Sequence, residues 1–246
     1  MDDTDDITPG NDSLLDKTNR QKRAQELAID MMIHDVRNPL SSIVSIADML
    51  GDRNMADDDQ LWLMRIKTLG YRALDILKAT SGYTEMERGE YELEKDRFDL
   101  LAIIRTALDK TSVLSKSKTL TTQVRLNGAE VKKQSLSVTG DRFFLEQMLD
   151  NLLTNALEAS PVEKNITIAL ETREVLRISV HNQGVVPEEK RAEIFDKLAS
   201  YQQERGSGLG AYLVKLIAEQ HNGTVSFTTS ESEGTVFRVE LPILTL

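Results

Sequence analysis

The sequence predicts a two-part fold: an α-helical hairpin that pairs into a four-helix bundle as a dimer, followed by an α+β two-layer sandwich. Three observations predict it. Apolar residues recur at heptad spacing in two runs before residue 90. An aspartate-rich break at residues 51–59 separates those runs. Beyond about residue 94 the pattern changes to short alternating segments interleaved with helices, which is the signature of antiparallel strands packed against helices.

Residues 1–13, MDDTDDITPGNDS, are too polar for a packed core and read as an acidic, disordered tail. Ile29, Ile33, Val36, Leu40, Ile43, Ala47 and Leu50 then follow one another at alternating intervals of four and three. Trp62, Ile66, Leu69, Ala73, Ile76, Thr80 and Tyr83 form a second such seam. Each helix carries more apolar surface than one neighbour covers, so a homodimer through residues 14–92 is expected.

The boundary is expected near residues 91–97, with a second domain over 97–246. RFDLLAIIRTALDKTSVLSK (97–116) reads as a short strand and then a helix, and SLSVTGD (135–141) as a strand ending at a turn. Asp141 to Ala159 is a strong helical pattern. NITIALET and VLRISVHN alternate around a short turn and read as a hairpin; TVSFTTS and TVFRVELPI read as another around ESEG. Between the hairpins, GSGLGAYLVKLIAEQHNG is a glycine loop opening a helix that ends at Asn222-Gly223, a good helix stop.

Composition narrows the chemistry. The chain has 246 residues and 40% hydrophobic content, enough for a core. It has no cysteine, which excludes disulfides and thiolate metal sites and fits a cytoplasmic location. A net charge of −10 argues against nucleic-acid binding. No apolar run reaches the roughly 18 residues that span a bilayer, and the acidic start is unlike a signal peptide.

Four constellations carry function. The first is His34-Asp35-Val36-Arg37-Asn38-Pro39-Leu40. His34 follows the seam residue Ile33, which rotates it about 100° off the core stripe to the bundle flank. A histidine that accepts a phosphoryl group needs one ring nitrogen unprotonated; a carboxylate on the other fixes the tautomer and raises nucleophilicity. Asp35 is adjacent for that task, and Asn38, one turn on, is placed to orient a water for in-line attack. Pro39 breaks a backbone hydrogen bond and is expected to bend or unwind the helix locally.

This pattern, with the boxes that follow it in order, resembles the transmitter core of two-component sensor histidine kinases over roughly residues 20–242. The resemblance implies that His34 is the phosphoacceptor and that residues 97–246 adopt the Bergerat-type fold of gyrase-like ATPases, with ATP and Mg2+ as cofactors. It also implies a response-regulator receiver domain as partner, and possible phosphatase action toward it.

The second constellation is DNLLTNALEAS (150–160), whose Asn151 and Asn155 share a helix face. By resemblance Asn155 holds the magnesium on the ATP phosphates and Asn151 assists, although alone the pair also fits the polar edge of an amphipathic helix. Glu158 stands where many members have a basic residue. The third is VHNQGVVPEE (180–189). The family usually has an Asp-x-Gly-x-Gly pattern whose aspartate accepts from the adenine amino group. Here Asn182 stands at the aspartate, Gly184 at the first glycine, and the second glycine is missing. An asparagine carbonyl accepts the same hydrogen bond as a weaker, neutral partner. The fourth is Gly206-Ser207-Gly208-Leu209-Gly210, a phosphate-cradling turn before a helix. IFDKLASYQQER (194–205), with Phe195, is expected to cover ATP; Lys197 and Arg205 there are either phosphate contacts or solvated surface. His181 reads as a strand-end surface residue and His221 as a helix C-terminal cap.

The expected activity is ATP-dependent autophosphorylation of His34 and transfer to a receiver aspartate. The alternatives are a dimeric scaffold or phosphatase whose 182–186 loop has lost nucleotide binding, and a gyrase-like ATPase with another task, which leaves the histidine hairpin unexplained. The chain is expected to be either a kinase governed by a separate sensor or an excised core.

Overall fold

The computed structural model describes residues 35–36, 38–39, 42–43, 45–46, 59–196 and 209–242. The chain divides into two compact units, Met1–Ser81 and Gly82–Leu246. The acidic tail, most of the first heptad run and nearly all of the break at 51–59 lie outside the described residues.

In the first unit the described residues from Asp35 to Ile46 are helical on both sides of Pro39, which is itself buried. Ser42 Oγ donates to the Asn38 carbonyl at 3.0 Å, a side-chain bond of the kind that accommodates a weakened helical ladder. The helix α1 (Asp59–Arg88) begins in this unit. Its seam residues Ile66, Leu69 and Ile76 are half-buried and Ala73 is buried. A different face holds Tyr71, Leu74 and Leu77, which are 67%, 59% and 51% exposed.

The second unit takes the end of α1 and then runs β1 (Lys95–Asp99), α2 (Leu100–Lys110), α3 (Ser112–Ser117), β2 (Thr121–Leu126), β3 (Ala129–Glu130) and β4 (Ser137–Asp141). It continues with α4 (Arg142–Ala159), β5 (Asn165–Thr172), β6 (Val175–Asn182), α5 (Glu188–Arg191), α6 (Gly210–Gln220), β7 (Thr224–Ser230) and β8 (Gly234–Pro242). Six strands form a sheet in the order β3-β2-β5-β6-β8-β7, and β1 pairs antiparallel with β4 apart from it. All pairs in the large sheet are antiparallel except β2 with β5. Ile166, Ile168, Leu170, Leu176, Ile178, Val180, Val239 and Leu241 face a layer made by α2, α4 and α6, and together they form one core. This is the α+β two-layer sandwich, with both expected hairpins in place. No helix among the described residues is long and apolar enough to cross a membrane.

Residues 118–134, which the sequence pattern leaves unassigned, supply β2 and β3. No residue of β2 or β3 is fully buried, so neither leaves the alternating imprint that marks the other strands. The expected turn after β4 is absent. Asp141 ends the strand and at once caps α4, accepting from Phe144 N at 3.2 Å. The other end of α4 is held by Lys118 Nζ, which donates to the carbonyls of Leu157, Glu158 and Ser160 at 2.9, 2.7 and 3.1 Å.

Helix α6 ends in a paired C-terminal motif. Asn222 sits at φ 57°, its N–H donates to Glu219 O, and Gly223 N–H donates to Ala218 O. A Cβ on Gly223 would overlap the Glu240 carbonyl, so this glycine is required for β7 to start against β8. His221 is the residue at the cap, as expected, but it also reaches across the fold. Its Nδ1 donates to Ile217 O at 2.8 Å and its Nε2 accepts from Asp141 N at 3.1 Å. Asp141 is 1% exposed, and its carboxylate further accepts from the Tyr91 hydroxyl at 2.8 Å and from Glu94 N at 3.1 Å.

Burial lowers the His221 pKa below its ordinary value, although its bond to Ile217 O and the Asp141 charge oppose the shift. The unfolded chain therefore binds the proton first, and stability is lost as the pH falls below about 6.5. His221→Gln keeps an acceptor without a titrating ring. We expect its thermal midpoint to fall less than the wild type's between pH 7.5 and pH 5.5, measured by circular dichroism. Equal acid losses in the two proteins would contradict this.

Candidate functional site

Leu145, Met148, Leu149, Leu152, Leu153, Ala156 and Leu157 bury one side of α4 in the core. The helical period then places Asn151 and Asn155 together at the border of that buried side, both half-buried. Asn151 Nδ2 donates to Gln147 O at 2.9 Å. Asn155 makes no side-chain hydrogen bond among the described residues.

The two amides meet the first turn of α6. A Cβ on Gly210 would stand 3.0 Å from both amide atoms of Asn155 and 3.3 Å from Asn151 Oδ1, so only glycine permits this approach without a shift. Leu209 precedes the helix at φ −72°, ψ −11° and supplies no side-chain cap. Among the described residues no N-cap side chain closes this terminus, and the dipole adds partial positive charge there. Two neutral amides beside such a terminus suit a phosphate group and an oxygen-coordinated cation.

The far end of α4 meets the loop after β6. Asn182 is 2% exposed and its Nδ2 has no hydrogen-bond partner. A Cβ on Gly184 would overlap the Ala159 carbonyl and stand 2.9 Å from Asn182 Nδ2, so glycine is required here too. A relay pins the loop: Val186 N donates to Thr229 Oγ1 at 3.1 Å, the Thr229 and Thr235 hydroxyls share a bond at 2.8 Å, and Thr235 Oγ1 donates to Gly184 O at 2.8 Å. Sequence reading missed Thr229 and Thr235, because partners more than forty residues apart leave no local signal.

Phe195 packs edge-on against Phe227 and Phe237 at 5.8 and 6.1 Å between ring centroids, which fixes the start of the segment expected to cover the site. His181 Nε2 bonds the Glu233 carbonyl at 2.7 Å. Asp35 and Asn38 are exposed on one helix face. His34, Lys197, Arg205, Gly206 and Gly208 lie outside the described residues. Of the expected site residues, the structure brings together Asn151, Asn155 and Gly210, with Leu209 adjacent, and separately pairs Asn182 with Gly184.

Residues 140–245 match the family model of the histidine kinase-, DNA gyrase B- and HSP90-like ATPases. Over 222 residues the chain is 29% identical to histidine protein kinase DivJ of Caulobacter vibrioides, a match that takes in 87% of this chain and 36% of that protein. Over most of its length the chain is similar to sensor histidine kinases. It spans about a third of the length of that relative. The catalytic domain of histidine kinase ThkA superposes with a TM-score of 0.54 at 28% identity, covering 62% of this chain and 97% of that one. Full-length ShkA, solved in complex with AMPPNP, shares the fold with a TM-score of 0.62 at 19% identity, covering 90% of this chain and 46% of that one.

The Gly210 approach gives a direct test. Gly210→Ala should push the two amides aside and weaken nucleotide binding by about tenfold or more, equivalent to at least about 1.4 kcal/mol. Displacement of a fluorescent nucleotide reads the affinity, and an unchanged value would place this contact outside the site.

Proposed function

We propose that this chain autophosphorylates on His34 with ATP and passes the phosphoryl group to an aspartate of a response-regulator receiver domain in the cytoplasm. The observation that carries the reading is the unbonded Asn155 amide set against the uncapped α6 terminus, 3.0 Å from the Gly210 Cβ position. The α6 terminus and the 206–210 turn hold the phosphates, and Asn182 with Gly184 takes the base. Asn155, helped by Asn151, holds the magnesium, which supplies charge neutralisation on the phosphates. Residues 14–92 form the dimerisation and phosphotransfer hairpin and residues 97–246 the ATP-binding domain.

An unprotonated ring nitrogen of His34 attacks the γ-phosphorus, the bond to the β–γ bridging oxygen breaks, and ADP leaves with that electron pair. Asp35 holds the other ring nitrogen and its proton. Asn38, exposed beside Asp35, orients a water for hydrolysis of the regulator's acyl phosphate, which would make the hairpin a phosphatase as well. Incubation with Mg2+ and γ-labelled ATP should give acid-labile, base-stable label on the wild type and none on His34→Gln. Asn155→Ala should slow labelling about a hundredfold, the size typical for loss of one charge-stabilising group. Label that survives in His34→Gln overturns the assignment. A second reading, a scaffold or phosphatase without kinase activity, is favoured by the neutral Asn182; stoichiometric label excludes it.

The exposed face of α1 supports the dimer. Tyr71, Leu74 and Leu77 present apolar surface that a second copy of the hairpin would cover. Leu74→Glu combined with Leu77→Glu should convert the dimer to monomer in analytical ultracentrifugation. A dimer that persists would assign those side chains another role.

A further inference from the structure

Asn182 closes β6 with its side chain inside the domain, 2% exposed, and its amide nitrogen is unpartnered. An unpaired buried N–H forfeits its hydration without a replacement, so its presence calls for a ligand or a reason. The nearby polar groups are engaged with one another. The Thr235 hydroxyl donates to Gly184 O and shares a bond with the Thr229 hydroxyl, which in turn accepts from Val186 N. Asn182 makes no side-chain hydrogen bond among the described residues, so no such bond fixes which way round its amide lies.

A primary amide presents a carbonyl oxygen or, after a half-turn about its last torsion, an NH2 group. A 6-aminopurine offers a donor at position 6 and an acceptor at N1; a 6-oxopurine offers the reverse. A carboxylate at this place would accept from the amino group and repel the oxo group, a penalty against the wrong base. Asn182 lacks that penalty and can meet either edge.

We propose that Asn182 is a specificity-determining residue that lets this kinase accept 6-oxopurine nucleoside triphosphates, those of hypoxanthine and guanine, beside ATP. The inference rests on the ATP-site reading above. It assigns the base selectivity of that site to one side chain.

Inosine triphosphate is the probe, because its base differs from adenine at position 6 and in the proton on N1. Displacement of a fluorescent ATP analogue from the full chain with Mg2+ gives the ratio of inosine triphosphate to ATP dissociation constants. The ratio should lie within about tenfold for the wild type and widen at least about tenfold in Asn182→Asp, with tighter ATP binding in the variant. A larger wild-type ratio, or one that Asn182→Asp leaves unchanged, overturns the inference while ATP binding itself leaves the kinase reading standing. If the wild type binds neither nucleotide, the inference falls; ATP binding by Asn182→Asp would then still keep the nucleotide site, and its failure there would sink that reading too. The wild-type ratio needs no variant, so a misfolded Asn182→Asp leaves the inference testable.

Discussion

Phe144, Leu145, Met148, Leu149, Leu152, Leu153 and Leu157 leave α4 no freedom to roll. Each is 2% exposed or less, and full burial of such a side chain contributes about 1.5–3 kcal/mol. A roll of one position would bring Glu146, Asp150 or Glu158 toward the sheet and lift apolar groups out of it. The helix is thus locked by its core side, and the lock sets the direction of Asn151 and Asn155. Those two amides in turn decide how near α6 approaches, and Gly210 is the residue small enough for that approach. Sheet burial, amide placement and an open helix terminus are successive consequences of one packed stripe.

The ends of α4 are secured by groups distant in sequence. At the start, Asp141 gathers donors from Phe144, Tyr91 and Glu94, and its own N–H goes to His221. At the finish, Lys118 satisfies three carbonyls that would otherwise face water or each other. Between these anchors the helix is a rigid mount. Asn151 and Asn155 lie in its C-terminal half and the Gly184 loop abuts its last residue, Ala159, so one rigid helix sets their spacing.

Much of this was legible in the residues. The α4 pattern, both hairpins and the Asn222-Gly223 stop were readable because each is a local pattern of period or turn chemistry. Asn151, Asn155 and Gly184 were singled out by their boxes, and the structure adds what the glycines press against: a Cβ on Gly184 would overlap the Ala159 carbonyl, and one on Gly210 would stand 3.0 Å from the Asn155 amide. The strand β2 was hidden because its side chains stay half-wet, so polar and apolar positions are not sorted. The second role of His221 was also hidden, since its partner Asp141 is eighty residues away. The same holds for the threonine relay behind Gly184. Long-range pairs of polar groups obey geometry that only the closed fold defines.

The aromatic cluster around Phe144 has a practical side. Its ring meets Tyr83 and Tyr91 edge-on at 5.4 and 5.0 Å, and Gly82 sits where any side chain would strike it. Tyr212 donates to Glu87, and Gln220 donates to the Tyr91 carbonyl. A fragment trimmed to start at Arg97 would lose the upstream half of this cage and leave a fully enclosed phenyl ring open to solvent. An autonomous fragment carrying this sandwich has to begin no later than the glycine at 82, well inside what reads in the sequence as the helical hairpin.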